Sequence, residues 1–91
     1  MHDNMTALVN VLRDAGGAHH QAFLATNGDD EDWAIWYADF LVDKLPPLLG
    51  KRLSRSEIVY ALKRLDYEYQ AEKPNEHWSD YYARLLLARY A

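Results

Sequence analysis

Two adjacent histidines, His19 and His20, are the side chains of this sequence that most directly suggest chemistry. An imidazole can bind a transition metal or transfer a proton near neutral pH. Because neighbouring residues of a helix point about 100° apart, the pair does not reach one metal ion from a single face. A metal site would therefore need ligands from other elements, such as His77 and a carboxylate. The structural alternative leaves one histidine exposed and the other hydrogen-bonded in the core or at a helix junction.

Three aspartates, Asp32, Asp39 and Asp43, form a second candidate group. On a helix their spacing brings all three within about 20° of one line. Such a stripe can bind a cation, accept basic residues from elsewhere, or face water. Asp39 and Asp43 lie one turn apart and repel each other, and a lysine or arginine from the basic half of the chain would relieve that repulsion.

The segment that carries this stripe is otherwise apolar. From Trp33 to Leu45, apolar side chains point in nearly every direction around the predicted helix. A domain of 91 residues has a small core, so its own domain or another molecule must cover this rod. The residues of the segment that we predict to mediate interactions are Trp33, Trp36, Tyr37, Phe40, Asp39 and Asp43.

The aromatic residues also suggest a pocket for a planar ligand, lined by the Trp33–Phe40 segment or by Trp78 and its neighbours. Aromatic residues at helical spacing more often form core. If there is a ligand or metal site, its candidate residues are His19, His20, Asp32 and Trp36, with Trp33 beside them. No cofactor is predicted.

Catalysis has little support in the sequence. It contains no Cys, no Gly-rich phosphate loop and no nucleophile elbow. His77 and Asp80, three residues apart, are more typical of a helix cap than of an acid–base pair. We therefore do not predict an enzyme, which would require a cleft where a histidine meets a carboxylate.

Charge is distributed unequally along the chain. The first 50 residues carry eight acidic and two basic side chains, and the other 41 carry six acidic and eight basic ones. The basic residues Lys51, Arg52, Arg55, Lys63 and Arg64 accompany a segment that resembles a recognition helix. The net charge of -4 argues against nucleic-acid binding. The unequal distribution suits docking between the halves or between subunits, and it equally suits solvated faces that have no partner.

Four helices are predicted, at about 4–26, 31–45, 55–72 and 76–90. Asp3 or Asn4 can cap the first helix. Gly16-Gly17 either ends this helix or is tolerated within a longer one, and we expect a helix, straight or kinked, that reaches about Thr26. Pro46-Pro47 stops the second helix, and the S-x-x-E sequence from Ser54 to Glu57 predicts a capping box for the third. We therefore predict one all-α domain over residues 1–91, with about four helices packed obliquely.

Composition limits the location of the protein. The absence of Cys fits the cytoplasm, and the N-terminal residues lack the basic region of a secretory signal. No stretch free of charged residues is long enough to span a membrane. We predict a cytoplasmic protein with no membrane contact.

One segment carries a family resemblance. The combination of His19-His20 with D-W-x-x-W-Y-A at residues 32–38 resembles a group of small bacterial helical proteins of unknown function. The similarity covers residues 15–65 and implies a helical fold and a bacterial origin. It transfers no functional residue. From the residues we expect a non-enzymatic interaction module that self-associates, with metal or small-ligand binding as the alternative.

Overall fold

The computed structural model describes residues 3–91, and the described part contains helices but no strand. The predicted all-α fold is confirmed. The helices are α1 (Asn4–Ala22), α2 (Trp33–Leu41), α3 (Pro46–Leu49), α4 (Arg55–Glu72) and α5 (Trp78–Tyr90), with a 3-10 turn at Leu24–Thr26.

Side-chain caps fix the starts of the two longest helices. Asp3 is the N-cap of α1 and accepts hydrogen bonds from the backbone N–H groups of Met5 and Thr6. Ser54 and Glu57 form the predicted capping box of α4, each bonded to the backbone of the other at 2.9–3.1 Å. These bonds satisfy N–H groups that have no partner within the helix.

The first helix is continuous through Gly16-Gly17 and ends four residues earlier than predicted. After Ala22 the chain turns through the 3-10 segment, and Asn27 and Gly28 have positive φ angles of 56° and 88°. Such angles suit glycine and asparagine and are incompatible with helix continuation. The turn leads into the loop that precedes α2.

The second helix is shorter than predicted, and a separate short helix follows it. It ends at Leu41 rather than at residue 45, and a four-residue helix starts at Pro46. Pro46 and Pro47 occupy the first positions of α3, where the missing N–H costs nothing. The two prolines were predicted to stop the second helix, and the structure shows that they also start α3. Gly50 ends α3 with a φ of 78°.

A single hydrophobic core joins all five helices. Helix α2 packs between α1 and α4, and α5 packs against α1 and α4. Gly16 allows α1 and α5 to approach closely, because a Cβ there would lie 3.1 Å from Cζ2 of Trp78. Within the described residues no helix is both long and apolar enough to cross a membrane.

Candidate functional site

His19 lies in the last turn of α1 and is buried in an aromatic cage. Its ring stacks on Phe23 at a centroid distance of 4.7 Å, meets the edge of Trp36 at 5.1 Å and lies 5.3 Å from Tyr37. Its Nε2 atom is 3.0 Å from Oδ2 of Asp30. The pair joins the end of α1 to the loop that precedes α2.

The loop holds Asp30 in place by its own hydrogen bonds. The second carboxylate oxygen of Asp30 accepts the backbone N–H of Asp32 at 3.0 Å, and Thr26 Oγ1 donates to the carbonyl oxygen of Asp29 at 2.7 Å. The Asp30 side chain is only 12% exposed. Because both members of the His19–Asp30 pair are covered, the pair joins two elements but has no open cleft in which to meet a substrate.

The predicted ligand residues do not form one cluster. His20 is exposed, and its ring lies over Gly28, where a Cβ would come within 3.2 Å of Nδ1. Asp32 is exposed and makes no side-chain cap bond at the start of α2. Within residues 3–91 no three His, Asp or Glu side chains come together to hold a metal ion. The partner of His19 is Asp30, which sequence reasoning did not select.

Most of the apolar rod on α2 is covered by the domain itself. Trp33, Tyr37 and Phe40 are half-buried and pack against the core. Trp36 is half-buried beside His19, with its ring stacked on Phe40 at 5.7 Å. The most exposed apolar side chain of α2 is Ile35, at 58%.

The aspartate stripe meets basic residues from the other half of the chain. Asp39 Oδ1 accepts a hydrogen bond from Arg55 Nε at 2.6 Å, and Asp43 Oδ1 lies 3.9 Å from Arg52. These contacts relieve the repulsion between Asp39 and Asp43. Both pairs are well exposed, so each adds little to stability.

Another exposed surface was not anticipated from the sequence. Tyr60 and Tyr67 are 65% and 72% exposed on α4, and Lys63 lies beside both. Lys63 also borders the hollow that contains Ile35 and Val59. We call this surface the α2–α4 face, and its residues are Ile35, Val59, Tyr60, Lys63 and Tyr67. The seven-residue spacing of the two tyrosines is the signal that could have revealed it.

His77 caps α5, as its position predicts, but its partner is Ser79 rather than Asp80. Its Nδ1 accepts the backbone N–H of Ser79 at 3.2 Å and lies 2.7 Å from the Ser79 hydroxyl. Arg13 Nε donates to the same hydroxyl at 3.0 Å. Ser79 is fully buried, so it links α1 to α5 and is inaccessible as a nucleophile.

Comparisons with known proteins add no functional assignment. No family model matches the chain, and neither curated proteins nor solved structures gave a match. The resemblance of the D-W-x-x-W-Y-A segment to bacterial helical proteins stays a prediction. Any functional proposal therefore depends on the surfaces and contacts described above.

Proposed function

We propose that this protein is a non-enzymatic interaction module that binds a second copy of itself through the α2–α4 face. The observation that carries the proposal is the exposure of Ile35, Tyr60 and Tyr67, each more than half exposed, on two neighbouring helices. Large side chains left in water gain no burial energy from their own fold. An exposed apolar group of this kind is typical of an interaction surface.

The residue types of the face fit a protein interface. Tyrosine is enriched among the residues that dominate binding energy, because its ring buries a large area while its hydroxyl tolerates water. Lys63 lies between Tyr60 and Tyr67, and its ammonium group is 5.6 Å from the centre of the Trp33 ring. The face thus combines aromatic anchors with a positive charge.

The charges bordering the face favour a second copy as the partner. Glu31 and Asp32 line the hollow beside Ile35, opposite Lys63. In a two-fold dimer, each surface patch meets the same patch of the other subunit. Acidic residues at the start of α2 can then face Lys63 of the second copy while the apolar residues meet in the middle. A surface that carries both positive and negative charge can pair with a copy of itself. A purely basic surface would instead repel its copy.

Sedimentation velocity over a range of protein concentrations tests the proposal. We expect a monomer–dimer equilibrium whose affinity falls as salt is added, because charge pairs at the rim are screened. A monomer at every concentration, in low and high salt, would refute self-association.

Replacing Tyr60 and Tyr67 with Ser locates the interface. We expect each change to weaken the dimer about thirtyfold or more if the tyrosines are anchors. The monomer should keep its stability within about 0.5 kcal/mol, because both side chains are exposed.

The matched control is Leu24→Ser, since Leu24 is 56% exposed but lies in the 3-10 turn after α1. We expect this variant to dimerise as the wild type does. Equal losses in Leu24→Ser and in the tyrosine variants would place the interface elsewhere.

The alternative of a metal or small-ligand site at His19, His20, Asp32 and Trp36 has weaker support. The Nε2 atom of His19 is already bonded to Asp30, and His20 and Asp32 are exposed. We further place the protein in the bacterial cytoplasm, on the basis of the absence of Cys and the D-W-x-x-W-Y-A resemblance.

A further inference from the structure

A cavity of about 430 Å³ opens between α1 and the start of α5, and no residue of the α2–α4 face lines it. Its volume lies within the range of small-molecule sites, roughly 300–1,000 Å³. The lining residues are Arg13, Gly16, Gly17, Tyr37, His77 and Trp78. They come from three helices and from the N-cap of α5.

Two glycines in the middle of α1 form one wall. Each weakens the helix by about 1 kcal/mol relative to alanine, so each calls for a physical reason. Gly16 has one, because a Cβ there would lie 3.1 Å from the Trp78 ring. A Cβ at Gly17 would meet nothing within 4 Å. Packing therefore does not require Gly17, and its missing side chain leaves the cavity open.

His77 presents a hydrogen-bond donor to this region. Its Nδ1 accepts the backbone N–H of Ser79, so that nitrogen carries no proton in this arrangement. The Ser79 hydroxyl oxygen accepts from Arg13 Nε and its proton points to the same Nδ1. The imidazole proton consequently sits on Nε2, which has no hydrogen-bond partner within the described chain.

Arg13 and Tyr37 add two further donors. The Arg13 side chain is 54% exposed, and one terminal nitrogen lies 3.8 Å from Asp80 Oδ2. The Tyr37 hydroxyl would be 3.5 Å from a Cβ at Gly16, and among residues 3–91 it has no hydrogen-bond partner. Burial raises the pKa of Tyr37, which keeps the hydroxyl protonated as a donor.

The wall of the cavity carries one cation, the guanidinium of Arg13. No Asp or Glu of the described residues lines it, while the whole sequence contains 14 of them. The wall therefore offers three side-chain donors to an anion, one of them a guanidinium that the anion would share with Asp80.

We propose that this cavity binds the carboxylate of a small aromatic acid, with Arg13 and His77 Nε2 as donors and the ring against Trp78 and Gly17. A monoanion fits better than a phosphate dianion, because Arg13 is the one cation in the wall and already lies near Asp80. The aromatic wall supplies a surface for a flat apolar body. The site shares no residue with the α2–α4 face, so it does not depend on self-association.

Titration with sodium benzoate, followed by the backbone and indole N–H signals in NMR, tests the proposal. We expect signals of Gly17 and of the Trp78 indole to shift at millimolar benzoate. Benzamide, which has the same shape without the charge, and inorganic phosphate should each bind about tenfold or more weakly. Absence of shifts at these signals would refute the site, and equal binding of phosphate would refute the assignment to an aromatic acid.

Two variants and a control separate binding from folding. Arg13→Gln should weaken benzoate binding about tenfold or more, because it removes the charged donor. Gly17→Leu should stabilise the helix, since leucine is a better helix former than glycine, while its side chain fills the cavity and abolishes binding. Arg64→Gln, on α4 outside the cavity, should leave the affinity unchanged.

A Gly17→Leu protein with a raised melting temperature and undiminished benzoate binding would contradict the proposal. So would an Arg13→Gln protein that retains wild-type affinity. The melting temperatures of both variants show whether the protein is folded when binding is measured. If Arg13→Gln unfolds, the stabilised Gly17→Leu variant still tests whether benzoate binds in the cavity.

Discussion

Replacing His19 with Ala is expected to destabilise the protein by about 3–5 kcal/mol, whereas the same change at His20 costs less than about 0.5 kcal/mol. His19 is buried between Phe23 and Trp36, so its removal leaves a cavity. It also leaves Asp30, which is 12% exposed, without its partner, and an unsatisfied buried acceptor adds a penalty of about 1–3 kcal/mol. His20 is exposed and loses little.

Urea denaturation of the two single variants measures the difference, and each histidine is the matched control for its neighbour. We also expect Asp30→Ala to destabilise the protein, and the His19→Ala, Asp30→Ala double variant to cost less than the two single changes added together, because both singles break one contact. Equal stability of the His19 and His20 variants would contradict the structural role of His19.

The sequence was sufficient to predict the features of the fold that depend on residues close together in the chain. The capping box at Ser54 lies within four residues, and α4 begins where that box places it. The apolar spacing of Ile58, Leu62 and Leu65 correctly predicted the buried side of the same helix. Local hydrogen bonds and helical periodicity depend on neighbours in sequence, which is why they can be read without a structure.

The partner of His19 depends on the path of a loop, and this could not be predicted from composition. Four acidic residues in succession, at 29–32, follow the Asn27-Gly28 turn. Each is a plausible partner for a histidine by type. The left-handed conformations of Asn27 and Gly28 and the bond from Asp32 N–H to Asp30 select Asp30. The backbone geometry of the loop therefore decides which acidic residue meets His19, and this geometry cannot be inferred from a run of four acidic residues.

The α2–α4 face and the cavity between α1 and α5 depend on contacts between residues far apart in the sequence. Tyr60 and Tyr67 share one side of α4, and it is the packing of α2 and α5 against α4 that decides which of its side chains stay exposed. The bond between Arg13 and Ser79 joins residues 66 positions apart. The apolar rod of α2 was correctly expected to need covering, but α1 and α4 cover most of it, so the exposed residues are on α4 as well as α2.

Tyr81→Phe is expected to make the protein less stable at neutral pH but more resistant to alkali. Tyr81 is almost fully buried, and its hydroxyl donates to Glu72 Oε2 at 2.6 Å. Loss of that bond to a charged group costs about 1.5–3 kcal/mol near pH 7. Burial, followed by the hydrogen bond and charge of Glu72, raises the pKa of Tyr81 to about 12, from an ordinary value of 10.0.

The sign of the pH effect follows from this raised pKa. Below pH 10 Tyr81 is protonated in both the folded and the unfolded chain, and its contribution to the stability of the fold is fully present. Between pH 10 and about pH 12 the unfolded chain loses this proton while the folded chain keeps it, so unfolding is favoured by up to about 1.4 kcal/mol per pH unit. Phenylalanine has no hydroxyl proton to lose, so the Tyr81→Phe variant lacks this contribution to the fall of stability with rising pH.

Urea denaturation at intervals from pH 8 to pH 12, with absorbance at 295 nm to follow phenolate formation, measures both effects. Burial and the nearby Asp66 also raise the pKa of Tyr82, so Tyr81→Phe should reduce the alkaline loss of stability without abolishing it. Glu72→Gln keeps an acceptor but removes its charge, and we expect it to lower the pKa of Tyr81 towards 10. An alkaline slope identical in the wild type and in Tyr81→Phe would mean that this hydroxyl ionises as readily in the folded protein as in water. The hydrogen bond to Glu72 would then not hold the junction of α4 and α5 at high pH.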